Sequence, residues 1–268
     1  MTKGEQMKRV VIISDLHCGH LAGLTPEDWE KKPESGYGTK AYEQYRHRRE
    51  AWKFYEDWCA KLQPVHALIC NGDALDGKGP RSGSTELITV DRTEQCDMAT
   101  ACIQEVKAKH VVMSYGTPYH TGINEDWEDQ VARQVEAEKI GGHDWIAVNG
   151  VVFDYKHHVG RSSIPHGRFT AIARDRLWNL LWAERGEYPK ANILIRSHVH
   201  YHVAAMENDY AAVITPALQG YGSKYGVRRM SDTVDFGLIW FDIEEDGTWT
   251  MGRAIKRFTR GRNAALVL

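Results

Sequence analysis

The sequence lacks any cysteine pattern that would staple or metallate it. Its five cysteines, Cys18, Cys59, Cys70, Cys96 and Cys102, are odd in number and include no Cys-x-x-Cys, which argues against a disulfide framework and against a thiolate zinc site. Long apolar runs are missing as well. No stretch approaches the roughly 20 residues that a bilayer-spanning helix needs, and the opening MTKGEQMKRVVIISD is polar ahead of a short Val/Ile run, unlike a secretory leader. The expectation is a cytoplasmic protein with reduced thiols and no membrane contact. An excess of one charge is also absent, because 34 Lys and Arg against 36 Asp and Glu leave a formal charge of -2, which removes the broad basic field of a non-specific nucleic-acid binder. Repeats, low-complexity tracts and linkers are lacking too. The 268 residues, 42% hydrophobic and 26% charged, therefore read as a single domain over 1–268.

What is present is a regular alternation of apolar runs and amphipathic stretches. RVVIISD reads as a strand buried on both faces that delivers Asp15 at its carboxyl end. After a loop over roughly 18 to 40, AYEQYRHRREAWKFYEDWCAKL places Tyr45, Trp52, Tyr55, Cys59 and Leu62 at helical spacing. The unit recurs as HALICNGD, a helix over about 93 to 109 carrying Ala99, Ile103 and Val106, and a third strand HVVMSYG. Asn149-Gly150 between two β-rich runs then predicts a type I′ hairpin. A helix over about 168 to 185 gathers Ile172, Ala173, Leu177, Leu180 and Leu181 on one face and stops at Gly186, ahead of the strands NILIRSH, AAVITPAL and FGLIWFDIEEDGTWTMGRAI. The fold expected is α/β, two packed mixed β-sheets flanked by helices in an αββα sandwich.

Five segments place Asp or His just past an expected strand: Asp15-Leu16-His17, Asn71-Gly72-Asp73, Gly116 to His120, His157-His158 and His198-Val199-His200. Strand carboxyl ends are where open α/β sheets put their sites. Alternate residues of an extended chain share a face, so a D-x-H or H-x-H pair can aim both side chains at one point. Carboxylate and imidazole without thiolate suit Mn, Fe, Co, Ni or Zn.

The order of these motifs resembles the calcineurin-like metallophosphoesterase superfamily, in its short phage and prophage members. The likeness runs from DLH at 15–17 through GDALD at 72–76, GTPYH at 116–120 and HH at 157–158 to SHVH at 197–200. Carried over, it implies Asp15, His17 and His200 on one divalent transition-metal ion, a bridging Asp73, and His198 with either His157 or His158 on a second ion, with manganese first among the metals and Fe, Zn, Ni or Co as alternatives. Two positions depart from the pattern. Ser197 stands where the family has Gly, a harmless change if the backbone there avoids positive φ. GTPYH has no Asn to supply an amide oxygen to the second ion. His120 is expected to coordinate in its place, the other options being that Thr117 or a water fills it and His120 protonates the leaving group.

Asp76 is expected to orient a ligand, and His20, Tyr119 and Arg161 are candidates for substrate contact, with ordinary loop and surface roles as the competing reading. Lys224, Arg228 and Arg229 are weaker candidates for phosphate, and Trp29, Tyr37, Tyr119, Tyr221 and Tyr225 for stacking on a base. The resemblance implies hydrolysis at phosphorus by a metal-bridging hydroxide, with Asp73 and His120 as the catalytic side chains. A phosphodiester at a nucleotide or nucleic-acid end is the expected substrate. A phosphomonoesterase on the same site is the alternative, and a scaffold that has lost catalysis is the reading from another class.

Overall fold

The computed structural model describes residues 7–34, 36–122, 125–220 and 233–258. In chain order the first half runs β1 (Lys8–Ile13), α1 (Lys40–Lys61), β2 (Ala67–Asn71), α2 (Arg92–Glu105), β3 (His110–Ser114), α3 (Pro118–Thr121), α4 (Glu128–Gln134) and β4 (Lys139–Gly141). The second half runs β5 (Asp144–Val148), β6 (Val151–Tyr155), α5 (Arg168–Glu184), β7 (Ile193–Arg196), β8 (Val203–Met206), β9 (Ala211–Ile214), β10 (Phe236–Ile243) and β11 (Trp249–Lys256). Six strands form one sheet in the order β11-β10-β1-β2-β3-β4, and five form another in the order β5-β6-β7-β9-β8. Both are mixed: β1 to β4 pair in parallel with β10 and β11 antiparallel, while β6, β7 and β9 are parallel between antiparallel edges.

The layering follows from the strand period. Val11 and Ile13 of β1 join the core under α1, α2 and α4, whereas Val10 and Ile12 join Phe153, Ile195 and Val213 of the other sheet. A strand buried on both faces needs apolar residues at successive positions, which is why RVVIISD shows a run instead of an alternation. The outer face of the second sheet is covered by α5 through Ile172, Leu194 and Ile214. Helices, sheet, sheet and helix make the expected sandwich.

Local chemistry accounts for the element ends. Thr39 caps α1 by accepting from Tyr42 N, and Asp91 caps α2 by accepting from Thr93 N at 2.8 Å. The second helix ends at Glu105, short of the expected 109, because Lys107 adopts a left-handed φ of 51°. Asn149 and Gly150 both have positive φ, 47° and 80°, as a type I′ turn requires, and Val148 pairs with Val151 across it.

The face of α5 is a correction. The apolar spacing marked Ile172, Ala173, Leu177, Leu180 and Leu181, but the helix buries Ala171, Ile172, Asp175, Arg176 and Asn179 and leaves Leu177, Leu180 and Leu181 exposed. The cause is Arg196 of β7, which is fully buried and cannot be left without counter-charges. Its Nε donates to Asp175 Oδ2 and its Nη1 to Asp154 Oδ1, both at 2.7 Å. Asn179 adds a bond to Asp154 Oδ2 at 3.3 Å, so the polar side of α5 must face the sheet.

Candidate metal centre

The loops after β1 and β2 run side by side, with Asp15 N donating to Gly72 O and His17 N to Asp73 O, both at 3.0 Å. Asp15, His17, Asp73, His198 and His200 all have positive φ, between 46° and 76°, and they make up five of the nine non-glycine residues in that region among the described residues. An L-residue pays about 1–2 kcal/mol for this conformation, so its concentration in one place points to a site that over-determines the backbone. It also corrects the expected route to convergence. The paired side chains meet through left-handed turns beyond the strand ends, and not through alternation along an extended strand. Ser197 avoids positive φ. Glycine is required where the loops touch: a Cβ on Gly72 would lie 2.6 Å from His157 Nδ1, and one on Gly116 would lie 2.2 Å from Asp73 N.

Three groups with ligand spacing result, Asp15 with His17 and His200, Asp73 with His157 and His198, and His17 with Asp76 and His120, each buried but for one half-buried histidine. In the first, His17 Nε2 and His200 Nε2 are 3.3 Å apart and His200 Nε2 is 3.2 Å from Asp15 Oδ1. In the second, His157 Nε2 is 3.0 Å from Asp73 Oδ2. That same Asp73 oxygen is 3.9 Å from His17 Nε2, so it lies between these two groups. Outer partners set the rings: His17 Nδ1 faces Asp76 Oδ1 at 2.9 Å and His157 Nδ1 faces Asn71 O at 2.7 Å, which turns both Nε2 atoms inward.

These donors fit divalent transition metals. Asp15 Oδ1 is buried without a hydrogen-bond partner. Among the described residues, the ionic partners of Asp15 and Asp73 are histidines only. The electrostatics show the same demand for positive charge. Burial opposes ionisation of Asp15, yet His200 and His157 hold its carboxyl well below the usual range, and His157 does the same for Asp73. Burial likewise opposes a charge on His157, but Asp73 and Asp15 push its pKa up to about 10. His198, half-buried and beside His157, is pushed down to about 4 by loss of solvent and by that neighbour.

His120 does not join the second group. Pro118 opens the short helix α3, His120 N bonds Thr117 O at 2.8 Å, and this turn carries the imidazole to the other side, against Asp76 and His17. His120 Nδ1 lies 3.3 Å from Asp76 Oδ1 and its ring stands edge-on to His17 at 4.6 Å. Burial would lower its pKa, but the Asp76 hydrogen bond and the field of Asp73 raise it to about 9. Thr117 occupies the vacated place instead, its Oγ1 lying 3.2 Å from His198 Nδ1, 3.3 Å from Asp73 Oδ2 and 3.5 Å from His157 Nε2.

The other candidates divide. His157 is buried, while its neighbour His158 is exposed and outside the clusters, with its ring 4.8 Å from that of His198. His20 is buried and accepts from Ala22 N at 2.9 Å, a local loop bond. Tyr119 stands edge-on to His120 at 4.9 Å, and Arg161 is exposed in the loop between β6 and α5. Trp29 packs against the core under α1, and Tyr37 is exposed against Tyr42. Tyr221, Lys224, Tyr225, Arg228 and Arg229 lie outside the described residues.

Two features escaped sequence reasoning. Beneath the cluster a buried chain of hydrogen bonds runs Ser14, Thr215, Ser197, Asn71, Ser114, with links of 2.6 to 2.8 Å, and ties five strand ends together. Glu128, fully buried, accepts from Ala74 N at 2.8 Å and Gly116 N at 2.6 Å and so clamps the loops on either side of Asp73. Burial raises its pKa to about 8. Nothing in EDWEDQVARQ distinguishes this glutamate from its acidic neighbours.

No protein-family model matches the chain. No curated protein matches it either. Among solved structures it is similar to vacuolar protein sorting 29 from Cryptosporidium parvum, with 10% identity over 94% of this chain and 99% of that one and a TM-score of 0.49. A novel archaeal phosphodiesterase has 12% identity over 92% and 99% of the two chains, with a TM-score of 0.45. A predicted phosphoesterase from Streptococcus pneumoniae has 9% identity over 93% and 98%, with a TM-score of 0.38.

Proposed function

We propose that the whole chain is one catalytic unit, a calcineurin-like metallophosphoesterase that hydrolyses phosphate esters with two divalent transition-metal ions, manganese first among the candidates. The observation that carries this reading is Asp73 Oδ2 standing between two buried Asp/His groups, 3.0 Å from His157 Nε2 on one side and 3.9 Å from His17 Nε2 on the other. Asp15, His17 and His200 would hold one ion, His157 and His198 the other, and Asp73 both. Ions in such a pair supply Lewis acidity toward phosphoryl oxygens and lower the pKa of water to near neutrality.

The chain's own residues supply positioning and a proton. Asp76 faces the Nδ1 atoms of both His17 and His120, and so fixes a ligand and a proton-holding imidazole relative to each other. His120, kept off the second group, holds its proton for the departing alkoxide. The hydroxyl of Thr117 takes the position for which the imidazole of His120 was expected. The preferred substrate is a phosphodiester, at a nucleotide or nucleic-acid end. Support comes from Tyr119, whose ring stands beside His120 at 4.9 Å and is of the kind on which a base stacks.

The test compares bis-p-nitrophenyl phosphate with p-nitrophenyl phosphate, with added Mn²⁺ and with chelator. Metal-dependent activity greater on the diester is expected. Activity greater on the monoester would make the enzyme a phosphatase. Activity unchanged by chelation, with no ion bound after Mn²⁺ or Zn²⁺ loading, would refute the reading.

A further inference from the structure

The outer surface of α5 carries an unused apolar face. Among the described residues, eleven large hydrophobic side chains are exposed, and five of them lie on this one helix: Phe169, Leu177, Trp178, Leu180 and Leu181, between 37% and 57% exposed. Ile164 and Tyr188 flank the helix and are also exposed. Seven of eleven in one place is a patch and not scatter. Along a helix of 17 residues, about 25 Å at 1.5 Å per residue, it forms a continuous apolar strip of the kind that monomeric proteins rarely leave open. The strip exists because α5 spends its other face on the buried Arg196 cluster.

The spacing and charge of the strip indicate what covers it. Phe169, Ala173, Leu177 and Leu181 follow at intervals of four residues, a row along the exposed face of a helix that packs lengthwise on another. The exposed side of the helix also carries Arg174 in its first half and Glu184 in its last turn. In a parallel pairing of two such helices each charge would face its own kind. In an antiparallel pairing with a two-fold axis near residue 179, Leu177 meets Leu181 of the other copy and Arg174 meets Glu184. The strip is thus self-complementary under the one symmetry that closes a dimer. Arg174 is available for this role, since its side chain is 60% exposed and reaches no nearer than 3.9 Å to Asp175.

We propose that α5 packs antiparallel against α5 of a second copy of this chain, forming a two-fold dimer whose seam is Leu177 and Leu181 and whose register is set by reciprocal Arg174–Glu184 pairs. This inference is independent of the chemistry proposed above.

Sedimentation velocity of the full chain over a range of micromolar concentrations tests it. Wild type should be dimeric, and Leu177→Glu monomeric with unchanged far-UV circular dichroism, because the residue supports nothing inside the fold. Arg174→Glu should weaken dimerisation by roughly tenfold through two like-charge contacts, and Glu184→Arg should do the same. The double variant Arg174→Glu/Glu184→Arg should restore wild-type dimerisation. A monomeric wild type, or a dimer indifferent to Leu177→Glu, would overturn the proposal and leave the strip to a different protein. A dimer lost in Leu177→Glu but not restored by the charge swap would overturn the antiparallel register.

Discussion

Two buried polar clusters in this molecule use similar residue types and resolve them in opposite ways. Behind β6 and β7, Arg196 donates to Asp154 and Asp175, Lys156 stands 3.6 Å from Asp175, and His143 closes on Asp154 at 2.9 Å. Cations and carboxylates there balance within the chain, although Arg196 Nη2 keeps no acceptor. Beyond the ends of β1, β2 and β7, Asp15 and Asp73 have histidines alone as ionic partners, and Asp15 Oδ1 has no hydrogen bond. Burial of charge is common to both places and marks neither as a site. What separates them is the counter-charge: Arg196, Lys156 and His143 face the carboxylates in one cluster, whereas histidines alone, on strained backbone, face them in the other.

The largest break in this comparison should come from Asp73→Asn. It removes the one carboxylate reaching both groups, so turnover of bis-p-nitrophenyl phosphate should fall by about 10⁴-fold. Metal analysis of the purified variant should show at least one ion lost, and wild-type turnover with full metal content would remove Asp73 from the centre. The second break is Arg196→Met, which strands Asp154 and Asp175 without their partner. Urea unfolding should show a loss of about 3–5 kcal/mol, equal in Mn²⁺ and in chelator, with metal content per folded chain unchanged. A loss that disappears on adding metal would mean that the two clusters are not independent.

His120→Asn sharpens the comparison at its boundary. It should lower turnover of alkyl phosphodiesters by about 10²-fold, leave p-nitrophenyl esters nearly untouched, and keep both ions bound. Loss of one ion would make His120 a ligand after all. The smallest effect concerns acid stability. Burial raises the pKa of Asp154, but the His143 hydrogen bond and the field of Arg196 outweigh it and hold the carboxyl below the usual range. Its contribution is therefore present above the unfolded pKa of about 3.9 and lost as pH falls through the lower folded value. Asp154→Asn should be less stable at neutral pH and lose stability less steeply as pH falls below about 4. An unchanged slope in acid unfolding would show that this pair does not govern it.

Much of the fold was legible because its signals are local. The run RVVIISD, the helical spacing from Tyr45 to Leu62 and Asn149-Gly150 each specify an element without reference to distant residues. The motifs likewise mark the loops that the fold brings together. What escaped depends on contacts between segments. Apolar spacing says which residues of α5 share a face, but which face turns inward was decided by Arg196, 21 residues after its partner Asp175, in a strand whose apolar neighbours conceal a buried charge. The position of His120 was hidden for a similar reason. Its motif sets the order of residues, whereas the turn begun at Pro118 sets which side of Asp73 each of them reaches.

The left-handed residues have a consequence for how such a chain changes over time. Asp15, His17, Asp73, His198 and His200 sit where glycine would be easier, so substitution to glycine would relieve backbone strain at each of them. A descendant released from the chemistry would meet no resistance to glycine at these five places and would gain stability as they relaxed. Stability alone would therefore place glycine at these five positions, and the Asp and His side chains that stand there instead carry a cost that the proposed centre accounts for.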